Sequence, residues 1–437
     1  LIFHSFATPL FNNSEDKWSV NGYFEQSVYL KWQNQLDDKN SNKDSGQIQG
    51  LLVPELGMIF YGELWDDDSS FLFDLSVNAQ IYDIYNIQFA PFNLNLNKLY
   101  LKFKTGSFGS SMSECIPFRS VLDELEIPEI EWQVGRDELF WGPGYNDSLI
   151  LSDHMNYDML KYSGDIDIEQ LGFNGGIIHF TKFFSLIDEK WLFGQRFEYS
   201  PDDNWFIGLS ETALVAISEQ WHKYTHFNGQ SKKENDINYN IGLDITWIPE
   251  QDIKLYGELF FYDLSFWKDL NSYHNKYGLT IGGHWVSIFD REGTDFRLEY
   301  TRINQGVYFS DKTGLNYFYQ DEPLGHSLGP DADQLLLQIK HRFDEDICLQ
   351  LAYVHQRHGQ GQYGISLASD SKMSNEDGFL SGIIETSDCI STSLTFELYL
   401  DWEVTLTGSL ENIYNDENQL NNDVQEISLT VEIRYEF

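Results

Sequence analysis

The residues with chemical reach in this chain are large aromatic rings, one histidine in a glycine-rich loop and a few charged groups beside a tight bend. From Gly135 the order Gly135-Arg136-Asp137-Glu138-Leu139-Phe140-Trp141-Gly142-Pro143-Gly144-Tyr145 sets Trp141 and Tyr145 on either side of that bend. Pro143 fixes one φ, and Gly142 and Gly144 accept backbone conformations that a side chain resists, so the three form a rigid structural turn. Two broad rings held close together can grip a ligand or can simply pack, and Arg136 with Asp137 and Glu138 can bind polar groups or pair across a lumen. The same chemistry recurs in Trp267, Tyr317 and Tyr319, in His326 between Gly325 and Ser327, and in Asp331. All of these are ligand-binding candidates. A packing role competes with that reading, because aromatic residues also build the interfacial girdles of membrane barrels and His326 also suits pinning its loop to Asp331 or Asp333.

Other chemistries find less support. Ser152-Asp153-His154 brings a nucleophile, an acid and a base together in sequence, but neighbours on a strand point to opposite faces and cannot converge as a triad. No catalytic activity is expected. Cys115, Cys348 and Cys389 are scattered without metal-ligand spacing, so neither a metal nor a cofactor is expected. Cys348 and Cys389 begin successive strands near opposite membrane faces, which rules against a disulfide.

Composition narrows the class. With 69 acidic against 28 basic residues the formal charge is −41, which opposes binding to nucleic acid and to anionic glycan surfaces. Cationic or neutral partners fit, and divalent cations can bridge acidic groups to lipopolysaccharide phosphates. Aromatic residues make up 16%, too many for a disordered chain, while purely apolar runs are far shorter than the roughly 20 residues of a transmembrane helix. No linker divides the chain, and one domain over 1–437 is expected. Leu1 is not followed by a signal-peptide pattern, so any secretory signal has been removed or lies outside this sequence.

The elements that must position the candidates are strands. Trp18, Val20, Gly22, Phe24, Val28, Leu30 and Trp32 alternate with polar residues over a run much longer than the five or six residues of a soluble sandwich strand. Similar runs follow near 50–65, 70–87, 96–105, 130–137, 171–184, 191–200, 204–217, 237–249, 251–263, 277–289, 293–303, 331–343, 346–358, 389–400, 402–412 and 424–437, with one more required within 148–163 by alternation of direction. Residues 107–129 break the pattern and are expected to form a short periplasmic insert, with a helical turn at 119–126. Connections are alternately short and long, as at the periplasmic and extracellular ends of an outer-membrane barrel. The fold expected is all-β, a transmembrane antiparallel barrel of about 18 strands. The last strand alternates Ile427, Leu429, Val431, Ile433, Tyr435 and Phe437 with polar residues, similar to the C-terminal signal of bacterial outer-membrane barrels. Strand parity leaves the Trp141–Gly144 bend near the extracellular mouth or folded into the lumen.

Within Gly135–Asp153, Gly135-Arg136, Trp141-Gly142-Pro143-Gly144 and Ser148-Leu149-Ile150-Leu151-Ser152 resemble the signature of the Wzi family of capsule-assembly outer-membrane proteins. Ile207-Gly208-Leu209-Ser210-Glu211-Thr212-Ala213, Phe296-Arg297-Leu298-Glu299-Tyr300-Thr301 and the loop Pro323–Asp333 resemble later family segments, in the same order. The resemblance implies an outer-membrane barrel that binds or anchors capsular polysaccharide as a non-enzymatic lectin, and with it Arg136, Trp141, Tyr145, Trp267, Tyr317, Tyr319, His326 and Asp331 become glycan-binding candidates, aromatic faces stacking on sugar C–H surfaces and polar groups reading hydroxyls. A porin-like channel, or a scaffold anchoring other envelope proteins, is the alternative. Outer-membrane lipids, lipopolysaccharide and other envelope proteins are the further partners expected. Two departures stand out: the family carries a periplasmic helical bundle before the barrel, whereas strand alternation here begins by Trp18, and this chain is strongly acidic.

Overall fold

The computed structural model describes residues 18–35, 47–63, 69–78, 81–82, 88–89, 93–104, 129–171, 175–216, 237–263, 276–288, 291–310, 314–363, 379–398 and 401–436. The expected insert 107–129, apart from Glu129, lies outside them, as do Cys115, Trp267 and Phe437.

Eighteen long strands, each antiparallel to its neighbours, close into one barrel. The first four are β1 (Trp18–Gln35), β2 (Gln47–Glu63), β3 (Ser69–Asn78) and β4 (Asn93–Lys104). Next come β5 (Ile130–Glu138), β6 (Asn156–Asp167), β7 (Ile177–Ile187), β8 (Lys190–Asp202) and β9 (Trp205–Ala216). The wall continues through β10 (Ile237–Glu250), β11 (Ile253–Phe261), β12 (Tyr277–Trp285), β13 (Thr294–Ile303) and β14 (Ala332–Arg342). It ends with β15 (Ile347–His358), β16 (Glu385–Leu398), β17 (Trp402–Tyr414) and β18 (Val424–Glu436). Closure is made by β1 against β18, in register from Tyr23 opposite Glu436 to Gln35 opposite Val424.

The register explains why alternation is so regular. Phe197, Leu209, Leu243, Leu259 and Leu279 stand directly opposite one another across β8–β12, and Ile390, Leu410 and Ile427 do so across β16–β18. Leu209, Leu243, Ile390 and Ile427 all expose large apolar area, the outward face that lipid covers. A one-residue slip would turn every such side chain into the lumen.

Three expectations need correction. The run 70–87 is not one strand: β3 stops at Asn78, Ile81–Tyr82 pair with Leu51–Leu52 of β2, and Gln88–Phe89 pair back on Ile81–Tyr82. Alternation persists through this stretch, so the period alone hides the break. The run expected from 171 starts at Ile177, because Gly175 and Gly176 take φ of 61° and 107° and turn the chain before it. Short connections are not confined to one end either: β7 and β8 are joined at the long-loop end by Asp188 and Glu189 alone, both with positive φ as a two-residue hairpin requires. Cys348 pairs with Thr395 and Cys389 with Val354, so the two thiols stand roughly 20 Å apart along the ladder and are free.

Candidate functional site

Residues 139–155, between β5 and β6, do not extend the wall. They fold into the lumen as a plug whose centre, Leu149, Ile150 and Leu151, is 0–1% exposed. Trp141 N donates to Leu151 O at 3.0 Å, tying the two limbs of the plug together. Gly142 is required by space: a Cβ there would stand 2.4 Å from Ser148 Oγ and 2.8 Å from Glu258 Oε2.

Two wall carboxylates hold the plug by its backbone. Glu258 on β11 accepts from Leu149 N at 3.0 Å and lies 2.9 Å from Ser148 Oγ. Glu299 on β13 accepts from Tyr145 N at 2.7 Å and from Tyr256 OH at 2.8 Å. Tyrosines of the loop 304–331 close over the carbonyls: Tyr308 OH donates to Leu149 O at 2.8 Å, and Tyr317 OH donates to Ile150 O at 2.9 Å. Phe260, Tyr262, Tyr308 and Tyr317 pack ring to ring around these bonds with centroids 5.9–6.4 Å apart. The plug's polar backbone therefore finds partners while its apolar side chains join the core.

Asp147 ties the plug to that same loop. It accepts Ser152 Oγ at 2.5 Å and Ser327 N at 3.0 Å, and also takes the Ser327 hydroxyl. His154 Nδ1 lies 3.4 Å away, while its Nε2 donates to Pro323 O at 2.8 Å. Burial pushes the Asp147 carboxyl up, but the hydrogen bond from His154, the nearby His326 and the two serines outweigh it and hold the group well below the usual carboxylate range. The Asp147 hydrogen bond in turn raises His154. His326, 1% exposed, is pushed down to about 4 by burial, against the pull of Asp147. Its Nδ1 accepts from Leu328 N at 3.1 Å, so the proton of the neutral ring sits on Nε2.

The sequence candidates separate accordingly. Trp141, Tyr317 and His326 come together around the plug while Asp331 lies apart from it, and all four are 0–5% exposed, so their contacts are with the protein itself. His326 stands beside Asp147 rather than Asp331 or Asp333. Asp331 instead gathers the loop after β15, accepting from Gly361 N at 2.9 Å and Ser381 Oγ at 2.6 Å. Gly142, Pro143 and Gly144 turn the plug's first limb. Arg136 shares the outward face of β5 with exposed Val134 and grips Asp158 with two bonds of 2.8 and 2.7 Å. Tyr319 keeps part of its ring free in a small hairpin, Phe318–Tyr319 with Glu322–Pro323, and stacks on Tyr157 at 6.1 Å. Tyr145, 43% exposed, points away from the plug's core and lies over the Arg297 guanidinium, 3.3 Å from ring centroid to Cζ.

Sequence reasoning missed Asp147, Glu258, Tyr308 and Glu299 as the plug's clamps. Glu299 already lay in the segment Phe296–Thr301, and Glu258 interrupts an apolar strand; a carboxylate on a lumen-facing position was the available signal. Among the described residues no group of His, Cys, Asp and Glu is arranged to hold a metal ion.

An 18-stranded barrel with an apolar outer belt, polar lumen and inward-folded plug is an integral protein of the bacterial outer membrane. The chain belongs to the family described as capsule assembly protein Wzi, whose model matches residues 124–426. Its structure is similar to that of Wzi from Escherichia coli, an outer-membrane protein involved in group 1 capsule assembly and described as a carbohydrate-binding β-barrel. The TM-score is 0.61 at 14% identity, covering 94% of this chain and 83% of that one. OccK7 (OpdD) of Pseudomonas aeruginosa aligns at 8% identity and TM-score 0.47, over 96% of this chain and 99% of its own. OccAB4 of Acinetobacter baumannii aligns at 11% and 0.47, over 98% and 100%. No curated protein sequence matches the chain.

Proposed function

We propose that this barrel holds surface polysaccharide at the outer membrane during capsule assembly, in a lectin-like and non-enzymatic role. The observation that carries the reading is the plug: a lumen filled beside β9–β14 by residues of near-zero exposure suits retention of a polymer better than its free passage. Family membership supports a capsule role. Glycan contact is proposed at the outer end for Tyr319 and Arg136, which lie within electrostatic reach of each other, and for Trp267. Trp141, Tyr317, His326 and Asp331 support that surface from within. One domain over 1–437 is proposed, β1–β4 closing the wall ahead of the matched residues, and the acidic loops are proposed to dock other envelope proteins or, through divalent cations, lipopolysaccharide.

A porin-like role has one observation in its favour. Lumen-facing Ser391, Ser393, Thr407 and Ser409 on β16 and β17 keep partial exposure on the side away from the plug. Glycan arrays and planar bilayers separate the readings. Tyr319→Ala and Arg136→Ala are expected each to weaken capsular polysaccharide binding by roughly tenfold, a loss of about 1.4 kcal/mol, with bilayers nearly silent. Stable open-channel currents with unaltered glycan binding in both variants would sink the lectin reading.

A further inference from the structure

Lys254 on β11, His284 on β12 and Arg297 on β13 stand directly opposite one another in a single row, continued by Gln338 on β14. The row faces the lumen, since Arg297 stacks beneath Tyr145 of the plug, and it lies toward the periplasmic ends of its strands. Lys254 and Arg297 are thus brought onto one wall of the lumen with only the imidazole of His284 between them. Their juxtaposition is the more telling in a chain with 69 acidic and only 28 basic residues to distribute.

Among the described residues neither Lys254 nor Arg297 forms an ion pair, although Glu299 lies within electrostatic reach of Lys254. Arg297 donates to the neutral amide of Gln338 at 2.9 Å and lies against the Tyr145 ring. Lys254 lies over the Tyr256 ring at 5.3 Å, and His284 has only Asp295, 3.9 Å away. Glu299, two positions along β13, accepts from Tyr145 N and Tyr256 OH through Oε2, while its Oε1 is buried without a hydrogen-bond partner. Above the row, Tyr145 keeps 43% of its surface exposed, and its hydroxyl lies 3.4 Å from Gln338 Nε2. A fork of guanidinium N–H donors, an ammonium and an imidazole beside a tyrosine ring that is half exposed match an anionic sugar: the acid group meets the cations and the pyranose ring packs on the part of the tyrosine that Arg297 leaves uncovered.

We propose that the underside of the plug is a binding site for an acidic saccharide, a uronic-acid unit reaching Arg297, Lys254 and Tyr145 from the periplasmic side. The proposal deepens the polysaccharide reading and rests on it for the ligand being a sugar; the preference for an acid is carried by the row alone. In a strongly acidic chain these cations are gathered on one wall of the lumen.

The test is titration of the full-length barrel in detergent with trigalacturonate, using maltotriose as the neutral counterpart. Trigalacturonate is expected to bind, to weaken as salt rises, and to lose roughly tenfold or more in affinity in Arg297→Gln and in Lys254→Gln. Arg297→Lys is expected to recover part of the loss, since it restores the charge without the fork. Heat-modifiable migration on gels verifies that each variant has a closed barrel. No binding of trigalacturonate by the unaltered protein, equal binding of maltotriose, or unchanged affinity in both glutamine variants overturns the proposal. Retention of capsule on cells, scored separately with Tyr319→Ala, reports on the outer-surface reading, so either can fail without the other.

Discussion

Asp147 is where two remote stretches of chain are joined, and its neighbours make the joint sensitive to pH. In the unfolded chain His326 titrates near the ordinary histidine value of about 6.5; folded, burial takes it to about 4. Between those values the unfolded chain binds a proton that the folded one refuses, so this histidine erodes stability as pH falls from 6.5 to 4, by on the order of 3 kcal/mol at the lower end. His154 acts in the opposite sense: its folded value is raised, so its contribution is complete below 6.5 and fades as pH rises through the raised value. Asp147, held low, contributes above the ordinary carboxyl value and loses that contribution only in stronger acid. His326→Asn is expected to flatten the fall in unfolding midpoint between pH 6.5 and 4, measured by urea titration in detergent. An identical slope in the variant would clear His326 of the effect. None of this was visible in the sequence beyond the presence of a histidine between Gly325 and Ser327, because its partner lies 179 positions away, in the plug.

The plug depends on polar partners in the wall for its backbone as well as on its own apolar residues. Glu258, 2% exposed, accepts from Leu149 N and reaches Ser148 Oγ; Glu258→Ala leaves both plug groups without their wall partner in a dry setting. The expected cost is about 3 kcal/mol, read as a lower unfolding midpoint, with faster proteolytic cleavage between 139 and 155. Strands were legible because a period of two survives in every wall segment. The plug was not, since Ser148-Leu149-Ile150-Leu151-Ser152 has the composition of a strand and acquires its role only from Glu258, Tyr308 and Tyr317, each more than a hundred positions away. Alternation of strand direction still placed a descending strand after it, and that left the bend only the mouth or the lumen.

Taken as one object, the barrel has two unlike halves. Lumen-facing Thr212, Asn240, Thr280 and Thr301 on β9–β13 are 0–1% exposed against the plug. Across the lumen, β16–β18 carry hydroxyl pairs such as Ser393 with Thr407 at 2.9 Å and Ser409 with Ser428 at 2.6 Å, which retain solvent contact. A plug centred on the axis would dry both walls; one clamped by Glu258 and Glu299 dries only its own side. That asymmetry follows from where the two carboxylates sit, and it predicts a difference in chemical access. With Cys115, Cys348 and Cys389 replaced by serine, Thr407→Cys is expected to react readily with a charged, water-soluble thiol reagent in reconstituted vesicles, and Thr280→Cys to resist it. Comparable rates at the two positions would mean that the plug leaves its wall in solution. Faster labelling of Thr280→Cys on adding Glu258→Ala would show that the buried carboxylate is what keeps this half of the barrel dry.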